Sequence, residues 1–222
     1  VKKFKKYRRG GLSCLIMKIS LYTSGSTGKQ KLVTHDENDF YKAGHWLVEK
    51  WGIEYDDVII NPFPTWTIAS WAFCIIPAKI AHCNVVNVKF EPLKFWDVVE
   101  EVKPTILTLA IGTWRTLVKR KKPNLEFVRN FSTGSAPVTD EDISLMKSTG
   151  AQNVWNIYGS TECIPPVMIS NNNIFDFQES PYYLEYKDNL FVDGVSTGDT
   201  FDLSTGKFES RIKQIKADTW KS

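Results

Sequence analysis

Short runs of apolar and β-branched residues alternate along the chain with longer segments whose apolar positions recur every three to four residues. The short runs predict strands, and the longer segments predict helices with one apolar face. The predicted strands are residues 16–22, 58–61, 84–88, 105–109, 127–132 and 153–157. The predicted helices are residues 36–50, 67–81, 92–102, 113–121 and 139–149.

This alternation of strand and helix predicts an α/β fold. Successive strand–helix units form a largely parallel sheet flanked by helices on both faces. Ligands of such sheets bind beyond the carboxyl ends of the strands, so the turns that follow the strands are the candidate sites.

From residue 165 onward the helical period is lost. Short runs with alternating polarity follow at residues 182–186, 190–192, 199–203 and 207–216. They predict a small C-terminal antiparallel β subdomain. The expected organisation is therefore a basic head over 1–16, an α/β core over 17–164, the β subdomain over 165–216 and a tail over 217–222.

The composition agrees with a folded domain and excludes several classes. Of 222 residues, 42% are apolar and 24% are charged, close to globular averages, so disorder, collagen and coiled coil are not expected. No uninterrupted apolar stretch of about 18 residues occurs, so no membrane span is expected.

Charge is distributed unevenly. Six of the 28 basic residues and none of the 25 acidic ones lie in residues 1–16, which leaves the rest mildly acidic. The head is either an arm for anionic lipid or nucleic acid, or a tail or upstream translated sequence before a start at Met17; we favour the second interpretation. The acidic remainder predicts no nucleic-acid partner.

The cysteines are Cys14, Cys74, Cys83 and Cys163, and they form no CxxC pair. Their spacing matches no zinc site, so buried reduced thiols are expected. Reduced thiols favour a cytoplasmic location over an oxidising compartment.

The first segment with chemical potential is TSGSTGKQK, residues 23–31, directly after a predicted strand. Its glycines permit unusual backbone conformations. Its hydroxyls and free N–H groups suit phosphate oxygens, and Lys29 or Lys31 adds positive charge. The spacing is not that of a Walker A loop. Taken alone, the segment is either a phosphate loop or a flexible polar turn.

Three further segments have suitable chemistry. In YGSTE, residues 158–162, a hydroxyl and a carboxylate suit a phosphate and a Mg²⁺ ion. The small residues of GSAP, 134–137, let a planar ring lie against the backbone. The carboxylate of STGD, 196–199, suits two sugar hydroxyls.

In their order along the chain, the four segments resemble the adenylate-forming (AMP-binding) superfamily, which includes acyl-CoA synthetases, luciferases and the adenylation domains of peptide synthetases. YTSGSTGKQK is similar to the family's YTSGSTGxPK loop, with Gln30 in place of Pro. YGSTE matches YGxTE, and STGD matches xTGD. Arg211 resembles an arginine that contacts ribose near the interdomain hinge, and Lys213 falls near the hinge itself.

The resemblance implies a role for each matched residue. The phosphate loop comprises Thr23, Ser24, Gly25, Ser26, Thr27, Gly28 and Lys31. The adenine would be flanked by Gly134, Ser135, Ala136, Pro137, Tyr158 and the adjoining Gly159, and the ribose fixed by Asp199 and Arg211. Thr161 would contact the α-phosphate and Glu162 would hold Mg²⁺; with Lys31 these form the expected catalytic set.

The family often places an aromatic residue and a histidine near the acyl pocket. Trp66 matches the aromatic position, whereas Thr67 stands at the histidine position. Trp66 is therefore either a substrate contact or an ordinary core residue.

The implied reaction is ATP-dependent and Mg²⁺-dependent activation of a small carboxylic acid to an acyl-adenylate. A thiol of CoA or of a carrier's phosphopantetheine would then displace AMP. The resemblance covers residues 19–216 and suggests a relative shortened at both ends, because the family's C-terminal lid, with its lysine, has no counterpart here. The alternative is a non-catalytic ATP, AMP or acyl-adenylate binding module that needs a separate lid chain.

Overall fold

The computed structural model describes residues 18–22, 32–159 and 163–211. The strands of these parts are β1 (Lys18–Tyr22), β2 (Leu32–Asp36), β3 (Val58–Asn61), β4 (Asn84–Asn87), β5 (Ile106–Ala110), β6 (Asn130–Gly134), β7 (Asn153–Tyr158), β8 (Met168–Ser170), β9 (Leu184–Tyr186), β10 (Leu190–Val192), β11 (Val195–Ser196), β12 (Asp199–Asp202) and β13 (Lys207–Arg211). The helices are α1 (Glu37–Trp51), α2 (Ile68–Ser70), α3 (Ile76–Ala81), α4 (Phe95–Val102), α5 (Ile111–Val118) and α6 (Asp140–Lys147), with a π-helical stretch, Trp71–Ile75, between α2 and α3.

The main sheet has six strands in the order β4–β3–β5–β6–β7–β8. The first five strands are parallel, and β8 pairs antiparallel with the end of β7. The chain runs from β3 outward to β4 and then returns to the other side of β3. This reversal of direction makes the gap between β3 and β5 the topological switch point of the sheet, where α/β proteins bind ligands.

Helices cover both faces of this sheet because neighbouring strand residues point to opposite sides. Ile59 packs into a core beneath α1 and α3, whereas Ile60 packs into a second core beneath α4, α5 and α6. Likewise, Ile106 packs into the first core and Leu107 into the second. The apolar runs in the parallel strands are thus explained by burial on both faces.

Side-chain caps define where two of the helices begin. Asp36 and Asp39 form a reciprocal capping box at the start of α1, and Thr139 and Asp142 do the same for α6. At the other end of α1, Gly52 adopts the left-handed conformation at φ 55°, which a glycine accepts without steric cost. These caps account for the helix positions that the sequence predicts.

The predicted helix over 67–81 is divided. Ile76 donates its N–H to the carbonyl of Trp71 across a π-type turn. Pro77 follows directly and has no N–H to give to an α-helical ladder. A widened turn before this proline accommodates its ring.

Three small antiparallel sheets surround the main one. The β1–β2 hairpin packs Ile19 and Leu21 against the core beneath α1. The β9–β10–β11 sheet and the β12–β13 ribbon enclose a third core around Phe201 and Leu190. β8, which lies beyond the expected domain boundary at residue 164, completes the main sheet.

The predicted fold class is confirmed: a largely parallel sheet lies between helices, and small antiparallel β elements follow it. The sequence did not predict β2, and β6 begins at Asn130 instead of residue 127 because 126–127 form a turn. Among the described residues, no helix has the length and apolar character needed to cross a bilayer. The basic head over 1–16, Cys14 and the tail over 217–222 lie outside those residues; Cys74, Cys83 and Cys163 are free thiols.

Candidate functional site

The GSAP and YG segments lie side by side at the carboxyl ends of β6 and β7. Gly134 pairs with Ile157 in the parallel register. A Cβ atom on Gly134 would come within 2.4 Å of the Ile157 carbonyl oxygen, so only glycine permits this approach. Ser135 follows with φ 73°, and the turn through Pro137 is exposed to solvent. The structure therefore offers bare backbone beside Tyr158.

Tyr158, Asp199 and Arg211 form one hydrogen-bonded polar cluster, in which Tyr158 and Asp199 are buried and Arg211 is half exposed. The Tyr158 hydroxyl donates to Asp199 Oδ2 at 2.6 Å. Arg211 donates from Nε to Oδ1 at 2.6 Å and from Nη2 to Oδ2 at 2.8 Å. The structure thus brings together three residues that the sequence assigned to the nucleotide.

Asp199 has no exposed surface, so its charge depends on these donors. The Tyr158 ring packs edge-on against Phe175 and Phe201. Burial and the adjacent Asp199 carboxylate raise the pKa of Tyr158 well above its usual range. The hydroxyl therefore stays protonated and remains a donor at neutral pH.

Asn156 is a further candidate site residue, which the sequence analysis missed. It precedes Tyr158 by two positions on β7, so both side chains project from the same face. Its Nδ2 donates to Asn173 Oδ1 at 2.5 Å. Asn173 in turn donates to the Val138 carbonyl oxygen at 2.8 Å and to Asp140 Oδ1 at 3.2 Å. Asn156 could have been predicted from the sequence, because it lies two positions before Tyr158 on the same strand. No local pattern indicated Asn173.

An apolar cavity of about 530 Å³ opens at the switch point. Its lining comes from the segments after β3 and β4 and from the end of β5 and start of α5: Pro62, Phe63, Pro64, Trp66, Val88, Lys89, Phe90, Leu109, Ala110 and Thr113. Trp66 is 59% exposed and contributes to this lining. Thr67 does not line the cavity; its hydroxyl donates to the Pro64 carbonyl oxygen at 2.7 Å.

Several predicted site residues lie outside the described residues. They are Thr23, Ser24, Gly25, Ser26, Thr27, Gly28, Lys31, Thr161, Glu162 and Lys213. Gly159 is described, and a Cβ there would approach Pro165 Cβ to 2.6 Å. Within residues 18–22, 32–159 and 163–211, no group of three or more His, Cys, Asp or Glu side chains is arranged to hold a metal ion.

A doubly wound sheet with the GSAP and YG turns at its carboxyl edge places the class of this protein among the α/β proteins that bind ligands at this edge. Residues 18–183 match the family model described as AMP-binding enzyme. The chain belongs to this family, which confirms the resemblance.

Two curated relatives show the extent of the match. The olefin β-lactone synthetase of Stenotrophomonas maltophilia (strain K279a) is 26% identical over 157 residues, which cover 69% of this chain and 28% of that protein. A long-chain-fatty-acid–CoA ligase of Mycobacterium tuberculosis is 24% identical over 142 residues, 63% of this chain and 28% of that one. The chain thus spans little more than a quarter of their length.

Solved structures share the fold. The O-succinylbenzoate coenzyme A synthetase of Bacillus subtilis, in complex with ATP and magnesium ion, matches with a TM-score of 0.59 at 20% identity. The match covers 69% of this chain and 32% of the synthetase.

Proposed function

We propose that this chain forms the nucleotide-binding part of an enzyme that activates a carboxylic acid with ATP. One observation carries the proposal: the switch-point cavity and the turns after β6 and β7 open at the same edge of one sheet. An acid held in the cavity would therefore present its carboxylate toward a nucleotide bound beside it. Holding two reactants in this orientation supplies a large part of the catalysis of such a reaction.

The residues of the nucleotide site fit an adenine nucleotide. The exposed turn from Ser135 to Pro137 offers backbone against which a purine ring can lie. Tyr158 and Gly159 adjoin it at the end of β7, and the Asp199–Arg211 pair lies within hydrogen-bonding reach of the Tyr158 hydroxyl. In this proposal the Asp199 carboxylate accepts hydrogen bonds from the ribose hydroxyls after Arg211 or Tyr158 has moved away from it.

The remaining assignments rest on the motif match. Thr23–Gly28 and Lys31 would hold the β- and γ-phosphates, and Thr161 would contact the α-phosphate. Glu162 would hold Mg²⁺, since carboxylate oxygen is the ligand that this ion prefers. Bound ATP supplies the α-phosphate that the acid attacks and the pyrophosphate that leaves. Lys213 would lie at the hinge toward a lid.

The cavity indicates the chemical class of the acid. Among the described residues, its lining is largely aromatic and aliphatic, and Lys89 is the charged residue in it. Burial of hydrocarbon in such a lining is favourable by about 25 cal/mol per Å². We therefore propose a carboxylic acid with an apolar chain or ring, with Trp66 at the cavity mouth. CoA or a carrier's phosphopantetheine is the proposed acceptor, and the cytoplasm the proposed location.

Two measurements on the 222-residue chain test this function. AMP and ATP titrations by calorimetry, with and without Mg²⁺, should give saturable binding. Pyrophosphate exchange against a panel of aliphatic and aromatic acids should then be slow, and should rise when a lid domain from a family member is added in trans. Preorganised charge at the transition state commonly contributes about 10²–10³ in rate, so the lid lysine should have an effect of this size. Absence of nucleotide binding would refute the proposal.

A second candidate function is a non-catalytic nucleotide-binding module. The observation that favours it is the engagement of both Asp199 oxygens by Arg211, with no carboxylate surface exposed. Binding of AMP without exchange for any acid, even with a lid added, would favour this module.

A further inference from the structure

Residues 62–66 form one wall of the cavity at the switch point. They follow β3 directly, and Pro62, Phe63, Pro64 and Trp66 line the cavity. The two prolines hold their φ angles at about −65°, which restricts the backbone of this wall. Hydrogen bonds to the protein core then fix the position of each of its ends.

The carboxamide of Asn61 holds the first end of the wall. The Phe63 N–H donates to Asn61 Oδ1 at 3.2 Å. Because a backbone N–H can only donate, Asn61 must present its oxygen to Phe63 and its nitrogen elsewhere. Asn61 Nδ2 accordingly donates to Ser70 Oγ at 2.9 Å and to Asn87 Oδ1 at 2.8 Å. Asn61 is 1% exposed and Ser70 has no exposed surface, so water does not replace these bonds.

Asn61 also connects the second segment of the cavity lining, residues 88–90, to β3. Asn87, which the Asn61 side chain contacts, directly precedes this segment. The Val88 N–H donates to the Asn61 carbonyl oxygen at 3.0 Å. Val88, Lys89 and Phe90 all line the cavity. One buried residue is therefore bonded to both lining segments.

The indole of Trp71 holds the other end of the wall. Its Nε1 donates to the carbonyl oxygen of Thr65, the residue before Trp66, at 2.8 Å. Trp71 is the first residue of the π-helical stretch, and its ring packs against that of Phe40 at a centroid distance of 6.4 Å. The backbone at Trp66 is thus tied to the core beneath α1.

The core by itself does not require a carboxamide at position 61. The Asn61 side chain projects from the same face of β3 as Ile59, which packs into the apolar core beneath α1 and α3. A leucine would fill similar space there without any polar group to satisfy. What the carboxamide adds is the set of bonds to Phe63, Ser70 and Asn87, which fixes geometry.

We propose that Asn61 and Trp71 are positioning residues that hold the two lining segments at a fixed separation, so that the chain selects acids by the size of their apolar part. This inference rests on the proposed function. Each methylene that becomes fully buried raises affinity about fourfold. The full gain requires a wall that is already in place, since a wall that must first be ordered subtracts the cost of ordering it.

Calorimetric titration of the full chain with AMP, acetyl-adenosine sulfamate and octanoyl-adenosine sulfamate tests the inference. The wild-type protein should bind the octanoyl ligand at least about tenfold more tightly than the acetyl ligand, because more methylenes are buried. Trp71→Phe keeps an aromatic ring and removes the donor to Thr65, so this ratio should fall about three- to tenfold while AMP affinity stays unchanged. Trp46→Phe on α1 is the matched control and should keep the ratio, since no hydrogen bond of its indole occurs among the described residues.

Asn61→Leu conserves volume and removes the side-chain bonds to all three partners, so it should lower the octanoyl/acetyl ratio further. Asn84→Leu, at the exposed start of β4, is its control and should keep the ratio. Urea denaturation shows whether each variant folds. Trp71→Phe decides the test if Asn61→Leu does not fold.

The outcomes separate the inference from the proposed function. An octanoyl/acetyl ratio that persists in Trp71→Phe would overturn the inference and leave the proposed function in place. An equal loss of affinity for AMP and both sulfamates would overturn it too, because a general structural role predicts that result. Wild-type binding of AMP without preference for the octanoyl ligand would overturn both the inference and the apolar acid assigned to the cavity. Failure of the wild-type chain to bind AMP would overturn the proposed nucleotide site.

Discussion

The guanidinium of Arg211 holds both carboxylate oxygens of Asp199, at 2.6 Å from Nε and 2.8 Å from Nη2. Asp199 is fully buried, whereas the Arg211 side chain is 52% exposed. The arginine thus covers the carboxylate from the solvent side. In the proposed site, ribose hydroxyls reach Asp199 only when Arg211 or Tyr158 moves, so nucleotide binding is coupled to the end of β13.

Asp199→Ala should weaken AMP binding. Hydrogen bonds to a charged group contribute about 1.5–3 kcal/mol, which corresponds to roughly 10- to 150-fold in dissociation constant. Calorimetric titration of AMP measures the change, with circular dichroism to verify folding. Asp202→Ala on the same strand, whose carboxylate binds Ser204 and Thr205, is the control. An unaltered affinity for AMP would remove Asp199 from the ribose site.

Arg211→Ala should destabilise the fold, because it leaves the buried Asp199 charge with Tyr158 as its one remaining side-chain donor among those described. We expect a loss of about 1–3 kcal/mol in the free energy of unfolding, since Arg211 is half exposed. Urea denaturation followed by tryptophan fluorescence measures it. Arg120→Ala, at an exposed arginine, should change the free energy by less than about 0.5 kcal/mol. Equal effects of the two substitutions would contradict the prediction.

Tyr158 should make stability depend on pH at the alkaline end. Burial and the Asp199 carboxylate raise its pKa in the folded state above the usual tyrosine value of about 10, so the unfolded state releases its proton first. The stability that this shift contributes is fully present below about pH 10 and is lost as pH rises above it. Tyr158→Phe should flatten the dependence of unfolding free energy on pH between about 10 and 11. Tyr55→Phe, at an exposed tyrosine, serves as the control, and the same slope in both would count against this assignment.

Asp57 should make the free energy of unfolding depend on pH at the acid end, where stability falls as pH is lowered. Burial acts to raise its pKa, but hydrogen bonds from Thr105, the Glu54 N–H and Arg129 outweigh burial and lower it below 3.8. Its contribution is present above the unfolded pKa and is lost as pH falls through the lower folded value.

Asp57→Asn should therefore lower the free energy of unfolding by about 2–4 kcal/mol at pH 7. On acidification, the free energy of unfolding of this variant should change little further. The measurement is urea denaturation at several pH values, with the exposed neighbour substitution Asp56→Asn as control. AMP affinity should not change, because Asp57 precedes β3 at the opposite edge of the sheet from the site. Parallel acid dependence in Asp57→Asn and the wild type would refute the assignment.

Trp66→Ala should weaken binding of an apolar acid but not of AMP. Removing a large aromatic from the cavity lining should reduce affinity for an acyl-adenosine sulfamate by about 1–2 kcal/mol, since apolar contact area is lost. Competition against labelled AMP measures both ligands in one series. Tyr55→Ala, a 76% exposed aromatic that does not line the cavity, is the matched control. A loss of AMP affinity alone would place Trp66 elsewhere in the mechanism.

The sequence by itself determined the class of fold and the family. Helices and buried parallel strands each have a distinct local pattern of apolar residues, so the order of the elements could be predicted from the sequence. The segments GSAP, YG and STGD were identifiable because each needs particular residue types at fixed spacing. Gly134 illustrates why: the 2.4 Å approach to the Ile157 carbonyl excludes any side chain.

The tertiary structure alone decided the contacts between segments distant in the chain. Tyr158 and Asp199 are 41 positions apart, and Asn156 meets Asn173 through a loop that carries no local signal. The cavity arises where β3 and β5 become neighbours after the chain reverses direction, which no single segment encodes. Local sequence patterns indicate which face of a helix or strand is apolar. Packing of the elements decides which polar groups come into contact, and those contacts define the candidate site.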